Sequence, residues 1–268
     1  IYPKERYGFI MKSANANEIK SAFTVQSKHF EEHEGNFKNK EYIDYVISEL
    51  QPKTEDKVLE TAAGTGICAR EISPFVKSVT CVDLTPAMLK KGKENADKEG
   101  IDNITFILGD VNELPFSDNS FDIVLSRLAF HHFYDTNKAF SQMARVLKKG
   151  GKFVYIDMAA ASEEVRDIED KIEKMRDTSH VKNLSQNEVL KLFYDNNFNI
   201  DKMSITPIKK ELENWLDFTN TEPNTKAKIK KLFKNDLETK SKTGFCPFIE
   251  NGKIYFNQNW LMIIGTKQ

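Results

Sequence analysis

Three acidic residues each close a short apolar run: Glu60 after KVL, Asp83 after SVTCV and Asp110 after ITFILG. Between the first two lies Ala62-Ala63-Gly64-Thr65-Gly66, a turn whose glycines let a ligand approach backbone amides at the start of a helix. Gly64 to Ala69 also reads as G-x-G-x-x-A, with Asp83 following Gly64 by 19 positions, the separation of a ribose-binding acid in a dinucleotide fold. A nicotinamide-dinucleotide enzyme is therefore one reading. Glu60 argues against it. A carboxylate beside the pyrophosphate in a partly desolvated turn repels by kcal/mol rather than tenths. The same carboxylate attracts a cationic ligand. The plainer reading of Glu60 is a cap interacting with the helix dipole.

S-adenosylmethionine carries an ammonium and a sulfonium and satisfies that requirement. On this reading Asp83 accepts from ribose hydroxyls and Asp110 accepts from the adenine amino group. Further along, Arg127 and the pair His131-His132 follow another apolar run, FDIVLS. Histidine titrates near neutrality and suits a general base. Neighbouring side chains diverge along a strand or helix, so one histidine is expected to face a site. His132 is the preferred base, with His131 packed or solvated. His29 and His180 are weaker choices, and each histidine has a plainer reading as a cap or packing residue.

These residues need a scaffold. KVLET (57–61), SVTCVD (78–83), ITFILGD (104–110), FDIVLS (121–126) and KFVYIDM (152–158) read as strands buried on both faces. Helices separate them. One opens at Thr85-Pro86, and another runs from Asp135 until Gly150-Gly151 stops it. Such alternation predicts an α/β fold: a Rossmann-like, doubly wound, mostly parallel seven-stranded sheet in a three-layer sandwich. Residues 1–50 are expected to form an N-terminal helical lid, with Phe23, Gln26 and Phe30 on one face. The cofactor-binding core spans 51–207. It includes a charged helix over Ser162–Asp177, and Ser185 with Glu188 forms a capping box. Residues 208–252 form a helical cap insert holding Trp215, Phe218, Ile229, Leu232 and Phe233. Residues 253–268 supply the final strand.

With 39 Lys+Arg against 40 Asp+Glu in 268 residues, the net charge of −1 argues against a dedicated nucleic-acid binder. The seven lysines in Lys226–Lys242 read as a solvated helix face, with contact to a macromolecule as the alternative. No run approaches the roughly 18 apolar residues of a membrane helix, and the first residues, IYPKERYGFI, lack a leader's apolar core. Three cysteines without metal-ligand spacing read as reduced thiols in a cytoplasmic protein that holds no metal.

The segments ETAAGTG, VDLTPAMLKKGKENA, GDVNELPFSDNSFDIVLSRLAFHHF and MARVLKKGGKFVYIDM resemble those of the class I S-adenosylmethionine-dependent methyltransferases, in particular the broad quinone and small-molecule group. The resemblance implies methyl transfer to a small-molecule acceptor. A methyltransferase acting on RNA or protein is the alternative. Carried over residue by residue, it makes Glu60, Ala62, Gly64, Thr65 and Gly66 the turn on the methionine side. It makes Asp83 the ribose ligand, with Leu84 and Met88 flanking the adenine and Gly109, Asp110 and Val111 at its edge. Arg127 and His132 fall near the methyl end, and Phe23, Gln26 and Phe30 cover the cofactor. The family often has glycine at the place of Ala62. Arg127-Leu128-Ala129 and Ile156-Asp157 depart from the Arg-Asn and Glu-Phe pairs of quinone C-methyltransferases, which argues against a quinone acceptor.

Overall fold

The computed structural model describes residues 16–27, 30–31, 40–239 and 242–268. Five strands carry the parallel part of the sheet: β1 (Lys57–Thr61), β2 (Ser78–Asp83), β3 (Ile104–Leu108), β4 (Phe121–Arg127) and β5 (Leu147–Met158). β6 (Phe198–Glu211), β7 (Phe248–Glu250) and β8 (Lys253–Lys267) complete it. The order is β3-β2-β1-β4-β5-β8-β6, with β7 paired to β8. β8 runs antiparallel to β5, β6 and β7. The expected seven strands are all present, and the short hairpin strand β7 is an addition.

From β1 the chain winds outward through β2 and β3, then returns to place β4 on the other side of β1. That reversal is where a doubly wound sheet opens a ligand crevice at its carboxyl strand ends. Glu60 and Arg127 stand at the ends of the two strands that flank it.

Helices cover both faces. A helical stretch over residues 16–26 (α1) precedes α2 (Lys40–Leu50) and α3 (Ile67–Ile72). Tyr42, Val46, Ile67 and Ile72 from these last two pack on one face, joined by Met88 from α4 (Pro86–Glu99). On the other face lie Phe140 and Met143 of α5 (Thr136–Val146) and Val189 and Phe193 of α7 (Gln186–Asp195). Ser185 and Glu188 form the expected capping box of α7. Between them in sequence, α6 (Arg166–Arg176) joins α8 (Leu212–Phe218) and α9 (Pro223–Thr239) around a separate apolar cluster of Ile172, Trp215, Ile229, Phe233, Phe245 and Phe256.

Three local expectations are corrected. α5 ends at Val146, and the chain enters β5 at once, so Gly150-Gly151 does not stop a helix. Gly150 instead sits at φ +72° where the β4–β5 register shifts between Phe121 and Ile123, an irregular edge that a glycine accommodates. α6 begins at Arg166 rather than Ser162. Thr85 precedes Pro86 at the start of α4 but makes no side-chain cap; its N–H donates to Asp83 Oδ1 at 2.8 Å.

Candidate active site

A cavity of about 520 Å³ lies over the β1–β4 crevice. The end formed by β1 to β3 is acidic. Glu60 is buried, and its Oε2 accepts from the Ala69 N–H in α3 at 2.8 Å. It is therefore both the helix-associated carboxylate of the plainer reading and a wall of the cavity. Burial pushes its pKa up to about 7, against the pull of the Ala69 N–H and of Arg127 and Arg70. A ligand cation in the cavity would relieve that penalty, whereas a phosphate would worsen it.

Asp83 uses both oxygens to shape the turn: Oδ2 accepts from Gly64 N and Oδ1 from Thr85 N, each at 2.8 Å. Burial raises its pKa, and these N–H donors oppose the rise. Each carboxylate oxygen accepts more than one hydrogen bond, so the group keeps capacity for ligand hydroxyls. Asp110 caps a short 3₁₀ turn through Oδ1, accepting from Asn112 N at 2.8 Å and Asn112 Nδ2 at 2.9 Å. Ala62, Gly64 and Gly66 all take positive φ, +49°, +56° and +69°. This left-handed geometry costs an alanine about 1–2 kcal/mol, the physical reason a glycine suits position 62.

Phe23, Gln26 and Phe30 line the cavity, although the helix ends before Phe30. The Phe30 ring lies 3.8 Å from the position a Gly64 Cβ would take, so the N-terminal segment sits directly on the glycine turn. Glu31 holds it there, accepting from Arg70 Nη2 and Asn95 Nδ2, each at 2.8 Å. Leu84, Gly109, Val111 and Arg127 also line the cavity. Thr65, Gly66 and Met88 do not. Thr65 and Met88 are wholly buried, and Gly66 is the residue from which α3 starts. His29 lies outside the described residues.

Both histidines line the cavity, contrary to the expectation that only one would and that His131 would pack elsewhere or meet solvent. Leu128 turns the chain at φ +51°, and Phe130–His132 form a 3₁₀ turn, which fans successive side chains by about a third of a circle. The two rings stand 4.0 Å apart. His131 Nδ1 lies 2.6 Å from Asp157 Oδ1. Asp157 Oδ2 accepts from Ala129 N at 2.9 Å and Phe130 N at 2.7 Å, and Oδ1 from Met158 N at 2.7 Å. Burial opposes charge on both partners, but their mutual attraction outweighs it: His131 is raised and Asp157 lowered from their ordinary values. Among the described residues, His132 reaches a carboxylate only through Ser179, whose hydroxyl lies 3.1 Å from its Nδ1 and donates to Asp177 Oδ1 at 2.5 Å. Burial and the neighbouring His131 push His132 down to about 3, so it is neutral at physiological pH. Its Nδ1 faces the Ser179 carbonyl at 3.1 Å, which assigns the proton to Nδ1 and leaves Nε2 as acceptor. The expected near-neutral titration therefore does not belong to His132.

The opposite wall escaped the sequence reading. Arg176, Asp177, Lys210, Trp215, Gln258 and Trp260 all line the cavity. Arg176 lies over the Trp215 ring at 4.4 Å, and Arg127 over Trp260 at 5.1 Å. The segment 176–181 is held against the histidine turn by Val181 N donating to His131 O at 2.8 Å. His180 is buried, with Nε2 2.9 Å from Asp170 Oδ1.

This arrangement, a glycine turn and strand-end acids at the reversal of a mostly parallel sheet, is that of the class I methyltransferase fold. Comparison with known proteins agrees. Residues 59–155 match a family profile described as a methyltransferase domain. The uncharacterized methyltransferase YcgJ of Bacillus subtilis is 31% identical over 235 residues, 87% of this chain and 92% of that protein. Its crystal structure superposes with a TM-score of 0.80 over 86% of this chain and 99% of the other. The uncharacterized protein YafE of Escherichia coli is 33% identical over 193 residues, covering 72% of this chain and 91% of that one. A Haemonchus contortus phosphoethanolamine N-methyltransferase solved with S-adenosyl-L-methionine shares the fold, at TM-score 0.58 and 23% identity over 85% of this chain and 52% of that one. The chain belongs to the S-adenosylmethionine-dependent methyltransferases. Its cofactor is S-adenosylmethionine, and the dinucleotide reading is set aside.

The residues present fit that cofactor. Two carboxylates, Glu60 and Asp83, suit a cationic ligand with a diol, and the wall at Gly64 lets a ligand approach the backbone.

Proposed function

We propose that the protein methylates a small-molecule acceptor. The observation that carries this reading is the cavity itself: α1 and Phe218 of α8 cover the strand ends, leaving about 520 Å³, the scale of a small-ligand site rather than of a polymer groove. When bound, S-adenosylmethionine supplies a methyl group already activated by its sulfonium. Glu60, Asp83 and Asp110 hold the cofactor, with Leu84, Gly109 and Val111 along its edge, and Phe23, Gln26 and Phe30 close over it. Within the expected 1–50 lid, α1 and Phe30 close over the site while residues 1–15 and 32–39 lie outside the described residues, and α8 with α9 acts as the cap, excluding water. His131, oriented by Asp157, takes the acceptor's proton at Nε2, while neutral His132 offers a second acceptor atom beside it.

The lysine-rich stretch supports the small-molecule reading over a macromolecular one. Lys226 and Lys230 of α9 pair with Asp217 and Glu213, and Lys242 beyond it pairs with Glu164, which offsets part of the positive charge of this stretch. Free Cys68, Cys81 and Cys246 support a cytoplasmic location, and no helix among the described residues is long and apolar enough to cross a membrane. Incubation of the protein and cofactor labelled at the methyl carbon with a size-fractionated cell extract tests the reading. Label should appear in the metabolite fraction; label confined to protein or RNA would overturn it.

A further inference from the structure

The cavity is electrically divided. Its β1–β3 end presents Glu60, Asp83, Asp110 and Glu113, while the wall built by β4, α6 and β6 presents Arg127, Arg176 and Lys210. We propose that the methyl acceptor carries an oxyanion, a carboxylate or phosphate apart from the methylated atom, which is drawn to Arg127, Arg176 and Lys210, and an apolar body that packs against Trp215 and Trp260. This rests on the methyltransferase reading of the same cavity and specifies its substrate class.

Lys210 is the centre of the argument. It is 5% exposed, its ammonium stands 5.3 Å from the Trp260 ring, and Arg127 lies over the same ring. Burial and the two neighbouring guanidiniums push its pKa down to about 7, while Glu173 works the other way. An anion bound beside Lys210 would favour the protonated ammonium. Glu173 accepts from Arg176 Nη2 at 3.0 Å, a buried ion pair that offsets part of the Arg176 charge, and Asp177 Oδ1 accepts from Ser179 N at 2.9 Å. An anion brought into this low-dielectric wall meets Arg127, Lys210 and the part of the Arg176 charge that Glu173 leaves uncompensated, and charge-assisted hydrogen bonds are the strong ones. Phe23, Met158, Phe218 and the two tryptophans offer the apolar surface for the rest of the molecule.

The chain has two tryptophans, Trp215 and Trp260, and both line this wall, so tryptophan emission reports on it directly. Phenylacetate, phenyl phosphate and the neutral isostere phenylacetamide are titrated into the whole protein, with and without S-adenosylhomocysteine. One or both anions should shift the emission and bind about 10–100-fold tighter than the amide. Whichever anion binds better identifies the headgroup. Lys210→Met and Arg176→Met should each remove most of that preference, while S-adenosylhomocysteine affinity, read by calorimetry, is retained. Equal affinity for amide and anions, or no binding of either anion, overturns the proposal. Failure of S-adenosylhomocysteine to bind the unaltered protein would instead strike the methyltransferase reading, a separate result from the same titration.

Discussion

At one end of the cavity, Glu60, Asp83 and Asp110 each lie at or just beyond the end of a strand and hydrogen-bond to backbone N–H groups within the crevice. At the other end, Arg127, Arg176, Lys210, Trp215 and Trp260 come from five elements, β4, α6, β6, α8 and β8, spread over half the chain. The first end is a local device repeated three times by one topology. The second is an assembly that exists only once α6, α8 and α9 have packed on their own apolar cluster. The difference implies that changes at the cofactor end should act on binding with little effect on the acceptor wall, and the reverse.

The largest effect is expected where the two ends meet, at the histidines. His131→Asn keeps a donor for Asp157 but removes the base, and should lower turnover of a hydroxyl acceptor by about 10²–10⁴-fold with cofactor affinity little changed. The base must be neutral to act, and pairing with Asp157 raises the His131 pKa above 6.5, so turnover should climb as pH rises through a value above 6.5. His132, depressed to about 3, contributes no limb in that range. A pH profile of His132→Ala that loses the limb would reverse the two assignments.

Next comes stability at the same junction. Asp157→Ala removes the acceptor of four backbone N–H groups and strands the His131 ring, which should cost about 3–5 kcal/mol in urea unfolding. A loss under 1 kcal/mol would show that the turn holds itself. Asp83→Ala should weaken S-adenosylhomocysteine by about 1.5–3 kcal/mol in calorimetry. Unchanged affinity would remove the ribose assignment, and a parallel loss of anion binding at the far wall would break the independence of the two ends. Ala62→Gly relieves a left-handed alanine and should stabilise the protein by about 0.5–1 kcal/mol, measured by thermal unfolding. The smallest signal is a slowing of amide exchange around Phe23 and Gln26 on adding cofactor; identical exchange would count against a lid.

The sequence by itself determined the five parallel strands, the glycine turn and the acids at their ends, because apolar runs, turn glycines and strand termini are local features with a known place in a doubly wound sheet. It also carried the resemblance to the class, through ETAAGTG, VDLTPAMLKKGKENA, GDVNELPFSDNSFDIVLSRLAFHHF and MARVLKKGGKFVYIDM together. Tertiary structure decided what depends on distant segments. The resemblance set Met88 beside the adenine, and only the structure shows it wholly buried in the cluster on α4's side of the sheet. The two histidines were expected to diverge, yet a left-handed Leu128 and a 3₁₀ turn bring both rings to the cavity. Asp157 carried no signal in its own segment, since its partner is 26 residues away. Lys210 fell within the expected helical cap insert of 208–252, whereas β6 continues to Glu211, and only its packing beside β8, with Arg127 and Arg176 brought alongside, places Lys210 in a buried wall with them. Local pattern encodes which way a side chain faces along its own element, but not which foreign charges it will meet there.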